Sequence, residues 1–230
     1  MKLATWNCNQ AFRKKQHQLR ELEPDIAVVP ERENPAEKGD WSAFTDWRWM
    51  GDDPHKGIGV FTRNGVTITD TTEIVEADHF LHVETDVVDV LAVWAMNNKG
   101  NPRQRYIGQV HTALKNNPKL IDEDTVVAGE FNWNVIWDES PKSPLCGDFG
   151  DMRGELNQNG LYSIYHAACG DEFGEETEAT FYMHKKEERP YHIDYAFVPR
   201  GLIGPNVEVT VDGYDDWIDA SDHMPLLVTI

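Results

Sequence analysis

The stretch of sequence that decides both the fold and the chemistry of this chain is residues 192–198, His-Ile-Asp-Tyr-Ala-Phe-Val. The residues after Asp194 are apolar or aromatic, which predicts a buried strand. A carboxylate in such a strand is costly unless a partner compensates its charge. We therefore expect Asp194 to have a cationic or hydrogen-bonding partner, and a histidine is the simplest one.

Similar short apolar runs recur along the whole chain. They are rich in β-branched and aromatic residues and are bounded by Gly, Pro, Asn or Asp, which is typical of strands. We expect strands at residues 3–8, 25–29, 58–62, 66–69, 91–96, 125–128, 162–165, 179–183, 191–198, 207–211 and 226–230.

Helical patterns separate some of these strands. Asn101-Pro102 is a typical helix start, and residues 103–115 then carry apolar side chains on one helical face. His111 adjoins that face, so we interpret it as structural. Residues 12–22 predict a second, more polar helix that ends before Pro24. Strands with helices at irregular intervals predict two packed sheets covered by outer helices, and the absence of repeats or linkers predicts one domain over residues 1–230.

Composition narrows the class of protein. A chain of 230 residues with 40% hydrophobic residues can bury a substantial core. Its three cysteines, Cys8, Cys146 and Cys169, are scattered and form no CxxC pair, which argues against a disulfide framework or a structural zinc site. No stretch is apolar enough for a signal peptide or a membrane span. We therefore expect a soluble, cytoplasmic protein.

The net charge of −19 would ordinarily argue against a polyanionic partner. The charge is uneven, however, because residues 1–60 carry nine basic and ten acidic residues, whereas the remaining twelve basic and thirty acidic residues lie in 61–230. A nearly neutral N-terminal quarter can face a phosphate while the rest of the surface stays acidic. Solubility or salt adaptation also explains the acidity.

Polar residues at strand ends carry the functional signal, because strand ends hold side chains rigidly and leave them open to substrate. Four such segments stand out, and we call them stations: Thr5-Trp6-Asn7, Val29-Pro30-Glu31, Gly129-Glu130-Phe131-Asn132 and Ser221-Asp222-His223-Met224-Pro225. Asp194, inside its apolar strand, is the fifth station. Taken singly, Asn7 is explained as a turn residue, Glu31 as a solvated strand end, and Asp222-His223 as a capping pair.

In this order the stations resemble the endonuclease/exonuclease/phosphatase superfamily of metal-dependent phosphoesterases. The segments that carry the resemblance are ATWNCN, PDIAVVPE, VVAGEFN, HIDYAFV and SDHMPLLVTI, and GIGVF at residues 57–61 also fits. No single motif is specific, but these motifs in order cover essentially the whole chain. The resemblance implies an α+β fold of the DNase-I-like type, a four-layer sandwich of two packed mixed β-sheets with outer helices.

The resemblance also implies a bound Mg²⁺ or Mn²⁺ ion. Glu31 would be a metal ligand, Asn7 would contact metal-bound water or phosphate, and Asp222 would complete the acidic environment. Such an ion would polarise the phosphoryl oxygen and stabilise the leaving group.

The resemblance assigns catalytic roles to three further residues. His223 would donate to a non-bridging oxygen or transfer a proton, with its orientation fixed by Asp194. Glu130 would orient and activate the attacking water, and Asn132 would bind the phosphate.

The sequence departs from the family pattern in two places. Glu130 stands where the family has Asp, which moves the carboxylate outward by roughly one C–C bond, ~1.5 Å. We expect a compensating loop shift, a slow enzyme or an inactive variant. Residues 94–97, Trp-Ala-Met-Asn, lack the family's His or Tyr, so Asn97 becomes a candidate phosphate contact and Trp94 a core residue.

We predict a divalent-metal phosphodiesterase, a nuclease acting on DNA rather than RNA. Two basic clusters would flank the site, and Trp133 would stack on bases while Trp6 lies in the core. Solvated helix faces explain the basic clusters equally well. The alternatives are a small-molecule phosphatase of the same fold, a catalytically weakened member that binds nucleic acid or a protein, and a structural or partner-binding domain. The basic residues are Arg13, Lys14, Lys15, Arg103 and Arg105.

Overall fold

The computed structural model describes residues 1–72, 74, 77–139 and 144–230. Its helices are α1 (Phe12–Glu21), α2 (Ile107–Asn116), α3 (Phe149–Gln158), α4 (Ile164–Cys169) and α5 (Tyr214–Trp217). Its strands are β1 (Lys2–Thr5), β2 (Ile26–Arg32), β3 (Asp46–Asp53), β4 (Lys56–Thr62), β5 (Ile68–Thr72), β6 (Phe80–Thr85), β7 (Asp89–Trp94), β8 (Thr125–Glu130), β9 (Leu161–Ser163), β10 (Phe181–Tyr182), β11 (Pro190–Tyr191), β12 (Asp194–Pro199), β13 (Glu208–Val211) and β14 (Leu226–Thr229).

Two six-stranded sheets and a short ribbon account for these strands. The first sheet has the order β13-β14-β1-β2-β4-β3 and the second the order β5-β6-β7-β8-β12-β9, while β10 pairs with β11. Both large sheets are mixed, because β1–β2 and β7–β8 are parallel and the other pairs are antiparallel. This topology confirms the predicted α+β class.

The sheets pack face to face, and helices cover their outer faces. Side chains alternate along each strand, so Val126 and Ala128 of β8 join the core between the sheets while Val127 faces the layer that contains α2 and α3. On the other side, Phe12 and Leu19 of α1 pack against the outer face of the first sheet. The four-layer sandwich expected from the sequence is therefore confirmed.

Several elements differ from the sequence prediction. β3 and β6 were not predicted, because their charged and polar residues interrupt the apolar pattern. The predicted strand at 162–165 is correct only at its start, since β9 ends at Ser163 and α4 begins at Ile164. Asn101-Pro102 begins a 3-10 turn rather than the long helix, because Arg105 is extended and Tyr106 has a φ of 50°, so α2 begins only at Ile107.

All the polar stations meet at one edge of the sandwich. Parallel pairing brings the ends of β1 and β2 together, and β14 starts beside the end of β1, opposite Thr5. In the second sheet, the last residue of β8 pairs with the first residue of β12.

Within the described ranges, no helix has the length and apolar character needed to cross a bilayer.

Candidate active site

A cleft of about 280 Å³ opens at this edge. Six of the residues that the sequence predicted for the site line it, together with three that it did not. Asn97 is exposed beyond the end of β7 and is not part of this lining. The lining residues are Asn7, Asn9, Glu31, Glu130, Asn132, Phe181, Ile193, Asp222 and His223.

Asp194 has the histidine partner expected from the sequence. Because the carboxylate can only accept, Nδ1–H of His223 donates to Asp194 Oδ2 at 2.8 Å. Both side chains are buried, and the Thr180 hydroxyl oxygen accepts from the amides of Ile193 and Asp194, which fixes the start of β12. Burial alone would lower the pKa of His223, but the carboxylates of Asp194 and Glu130 outweigh it and raise the pKa to about 10.

Glu130 bridges two of the other stations. Asn7 Nδ2 donates to Glu130 Oε2 at 2.6 Å, and Glu130 Oε1 lies 3.9 Å from His223 Nε2. Burial, together with the nearby carboxylates of Asp194 and Glu31, raises the pKa of Glu130 to about 8 against the opposing effects of His223 and of the Asn7 hydrogen bond. The glutamate therefore lies between Asn7 and His223 in the cleft.

Gly129 allows β8 to end in this position. Its φ is +145°, a conformation that favours glycine, and a Cβ atom there would lie 1.9 Å from the carbonyl oxygen of Val93. The close approach of β8 to β7 at this point therefore depends on glycine, and it sets the backbone from which Glu130 reaches into the cleft.

A β-bulge in β2 directs Glu31 into the cleft. The register of β2 shifts between Val29 and Arg32, and Glu31 has a φ of 58°. In a regular strand, Glu31 would share the outer face with Val29, and Arg32 would face the intersheet core. Instead Glu31 lines the cleft, and the guanidinium carbon of Arg32 lies 4.5 Å from the ring centroid of Trp41 on the outer face. The bulge thus reverses the directions of two neighbouring side chains.

A hydrogen-bonded junction joins the Asn7 and Asp222 stations. Asn7 Oδ1 accepts from the Asn9 amide at 2.9 Å, and Asn9 Nδ2 donates to Asp222 Oδ1 at 3.1 Å. The Ser221 hydroxyl donates to the Asn7 carbonyl at 2.7 Å and accepts from the His223 amide at 3.1 Å. Asn9 was not predicted from the sequence, although its position two residues after Asn7 was a usable signal.

Phe181 and Ile193 were also missed. The Phe181 ring lies 4.6 Å from the His223 ring, and Phe181 forms an isolated β-bridge with His223. An aromatic residue in a predicted strand gives no sign that it lies at a cleft, so only the three-dimensional structure could identify it.

The donors in the cleft suit a hard divalent cation. Glu31, Asp222 and Asn7 offer carboxylate and amide oxygens, the ligands that Mg²⁺ and Mn²⁺ prefer. Among the residues that the structure describes, no three His, Cys, Asp or Glu side chains are grouped closely enough to hold an ion by themselves. A site with one or two protein carboxylates, completed by water and substrate oxygens, remains consistent with Mg²⁺ chemistry.

The structure corrects part of the predicted substrate contacts. Lys15 is half-buried and donates to the carbonyls of Cys8, Asn9 and Ala220. Arg13 forms an ion pair with Glu33 at 2.9 Å. These two side chains bind the protein itself, whereas Lys14 and Arg103 are exposed.

The tryptophans are also reassigned in part. Trp133, expected to stack on bases, is only 7% exposed, donates to Asp138 Oδ1 at 2.8 Å and packs against Trp137. It is therefore a core residue. Trp6 and Trp94 are buried as predicted, and His111 bonds the Cys146 carbonyl in a structural role.

No protein-family model matches the sequence, and no curated protein matches it either. Solved structures do match over the whole chain. An AP endonuclease from Archaeoglobus fulgidus has a TM-score of 0.74 and 18% identity, covering 100% of this chain and 99% of its own. A 3'-5' exonuclease (NExo) from Neisseria meningitidis has a TM-score of 0.72 and 16% identity with the same coverage.

The catalytic domain of APE2 from Xenopus laevis is similar at a TM-score of 0.70 and 12% identity, covering 100% of this chain and 91% of its own. The chain therefore has the same fold as these solved structures, a DNase-I-like α+β sandwich. This finding confirms the fold that the resemblance of the ordered stations implied.

Proposed function

We propose that this protein is a divalent-metal-dependent phosphodiesterase, and specifically a nuclease that hydrolyses DNA by in-line attack of an activated water. The observation that carries the proposal is a pair of hydrogen bonds, Asp194–His223 and Asn7–Glu130. They bring His223 and Glu130 together in the cleft that Glu31 also lines. The similarity to an exonuclease and to an AP endonuclease supports the same class of substrate.

Each side chain has a role that its environment supports. Glu130 has a pKa raised to about 8, so its ionised form is a stronger base than an ordinary carboxylate and accepts a proton from the attacking water as the pH approaches that value. His223, held by Asp194, donates to a non-bridging oxygen of the phosphate or to the leaving group. Asn132 has a φ of 53°, lies just beyond Phe131 after the end of β8 and lines the cleft, where its amide is a phosphate contact.

Glu31, Asn7 and Asp222 would hold the Mg²⁺ or Mn²⁺ ion. When bound there, the ion would supply Lewis-acid stabilisation of the negative charge on the phosphoryl oxygens. The chain's own residues orient the phosphate and the water and move the protons.

Hydrolysis of a small phosphoester is a second candidate function. Arg13 and Lys15 are engaged within the protein, which leaves fewer of the predicted basic residues to follow a nucleic-acid backbone. A 3' phosphatase from Neisseria, bound to a product DNA hairpin, has a similar structure, so the fold supports a phosphatase, in that case one with a DNA product. Release of inorganic phosphate from a small phosphomonoester, without cleavage of DNA, would identify the second candidate.

The test is an activity assay with labelled duplex DNA, single-stranded DNA, RNA and a panel of phosphomonoesters. We expect cleavage of DNA with Mg²⁺ or Mn²⁺, no turnover with excess chelator, and strongly weakened metal binding in Glu31→Gln by calorimetric titration. Full activity in chelator would rule out the metal mechanism. Turnover of phosphomonoesters alone would favour the second candidate.

A further inference from the structure

Lys56 contacts the proposed metal ligand Glu31. Its Nζ lies 3.2 Å from Glu31 Oε1, and the two side chains are 34% and 20% exposed. Lys56 is the first residue of β4, and Glu31 lies near the end of β2, its neighbour in the first sheet. The ion pair therefore joins adjacent strands at the rim of the cleft.

The ammonium group is also held from the second sheet. Lys56 Nζ lies 5.1 Å from the ring centroid of Trp94, the buried last residue of β7, a geometry that favours a cation over an aromatic face. Trp94 pairs in register with Glu130. Lys56 is thus positioned by both sheets, unlike a lysine that extends freely into solvent.

A divalent ion and an ammonium group compete for the same carboxylate. Both are attracted to Glu31, and they repel each other at the short separation that a shared carboxylate imposes. We propose that Lys56 competes with the metal for Glu31 and thereby sets the affinity of the site for divalent cations. This inference rests on the proposed function, because it requires the metal to bind at Glu31.

The surroundings of Lys56 allow the exchange. His79, whose ring lies 4.9 Å from that of Trp94, interacts electrostatically with Asp52 and Asp78 as well as with Lys56. Asp53 lies directly opposite Lys56 in the β3–β4 pair, so an ammonium group displaced from Glu31 still has a carboxylate as a neighbour.

The test is a calorimetric titration of Mn²⁺ alone into the full chain at fixed pH and ionic strength. Lys56→Met keeps the apolar stem over Trp94 and removes the charge, and we expect it to bind Mn²⁺ roughly 3- to 30-fold more tightly. Lys119→Met is the matched control, since Lys119 is exposed in the segment that precedes β8, at the end remote from Glu130. It makes the same change in net charge and should leave the affinity unchanged.

A cycle with Glu31→Gln separates the two claims. One outcome is that Glu31→Gln loses Mn²⁺ binding while Lys56→Met, made in the otherwise wild-type chain, binds Mn²⁺ no more tightly than the wild type. The proposal that Lys56 competes with the metal is then wrong, and the metal site at Glu31 stands. If Glu31→Gln binds Mn²⁺ like the wild type, the metal assignment itself is wrong. Circular dichroism verifies folding of each variant, and Lys56→Gln replaces Lys56→Met if the methionine variant does not fold. Equal or weaker binding by the folded variant overturns the inference.

Discussion

His223 stands between two carboxylates, with its Nδ1 2.8 Å from Asp194 Oδ2 and its Nε2 3.9 Å from Glu130 Oε1. The two acidic residues are directly opposite each other in the antiparallel pair β8–β12. Like charges in such a position destabilise a sheet. A protonated imidazole between them removes much of that cost, so the same histidine stabilises the edge of the sheet and serves the proposed chemistry.

Asp194 and His223 should therefore behave as one unit in catalysis. We expect His223→Ala and Asp194→Asn each to lower kcat by roughly 10²- to 10⁴-fold, because either change removes the oriented imidazolium. The double variant should be little slower than the slower single variant. The measurement is kcat for all four forms on one DNA substrate, and multiplicative losses would mean that the residues act independently.

The sequence predicted those residues whose burial decides their environment, such as a buried carboxylate that needs a partner or a large aromatic side chain in a strand. Asp194 required a partner because it lies in an apolar strand, and the structure provides His223. The core positions of Trp6 and Trp94 were also predicted from the sequence, and both side chains are buried. These features depend on local pattern, which a sequence displays directly.

Residues whose direction depends on irregular backbone could not be predicted in detail. The sequence placed Glu31 at a strand end, but only the bulge explains why its side chain enters the cleft while Arg32 turns to the outer face. Likewise, nothing in a run of basic residues shows that Lys15 reaches three backbone carbonyls. Two of these carbonyls, of Cys8 and Asn9, lie in the loop just before the helix, whereas the third, of Ala220, is distant in sequence and only folding brings it to Lys15.

Lys15 should stabilise the site without contacting nucleic acid. It connects the Asn9 loop to the segment that leads to Asp222, so Lys15→Met should reduce the free energy of unfolding by about 1–3 kcal/mol. It should leave the slope of log affinity against log salt concentration unchanged. Lys14→Met, one residue away and exposed, makes the same change in charge and should not reduce stability.

Urea unfolding and DNA binding across a salt series provide the two measurements for these variants. A decrease of about one unit in the salt slope for Lys15→Met would show that Lys15 contacts a phosphate after all. Retained stability in the same variant would show that its three carbonyl contacts contribute little.

Glu176 should make the stability of the protein sensitive to acid. Burial alone would raise its pKa, but hydrogen bonds from His166, from backbone amides and from Asn134 outweigh burial and lower the pKa to about 2, from an ordinary value of 4.5. Because the folded-state pKa lies below the unfolded one, the stabilisation is present above pH 4.5 and is lost as the pH falls toward 2.

We therefore expect Glu176→Gln to be less stable than the wild type at pH 7, by about 1–2 kcal/mol after allowance for solvent screening. The difference should shrink as the pH falls below 4.5. Denaturant unfolding from pH 7 to pH 3 measures it, with the exposed Glu175→Gln as the control. A difference that does not change with pH would show that ionisation of Glu176 is not the source.

Glu130 stands where the family pattern that the sequence resembles has an aspartate, so the length of this side chain is open to a direct test. Its carboxylate already spans the cleft, accepting from Asn7 at 2.6 Å and lying 3.9 Å from His223. Glu130→Asp would retract the carboxylate by ~1.5 Å, so it could not keep both relationships from the same backbone. We expect kcat to fall roughly 10- to 100-fold with little change in KM, since the lost alignment matters in the transition state.

Glu130→Gln is the control that keeps the length of the side chain and removes its charge. It should reduce kcat further, because an amide cannot accept the proton of the attacking water. Metal affinity, measured separately by calorimetry, should survive the aspartate change because the carboxylate charge remains. A faster Glu130→Asp variant would mean that the glutamate misaligns the water, and equal rates would show that this carboxylate does not position the nucleophile.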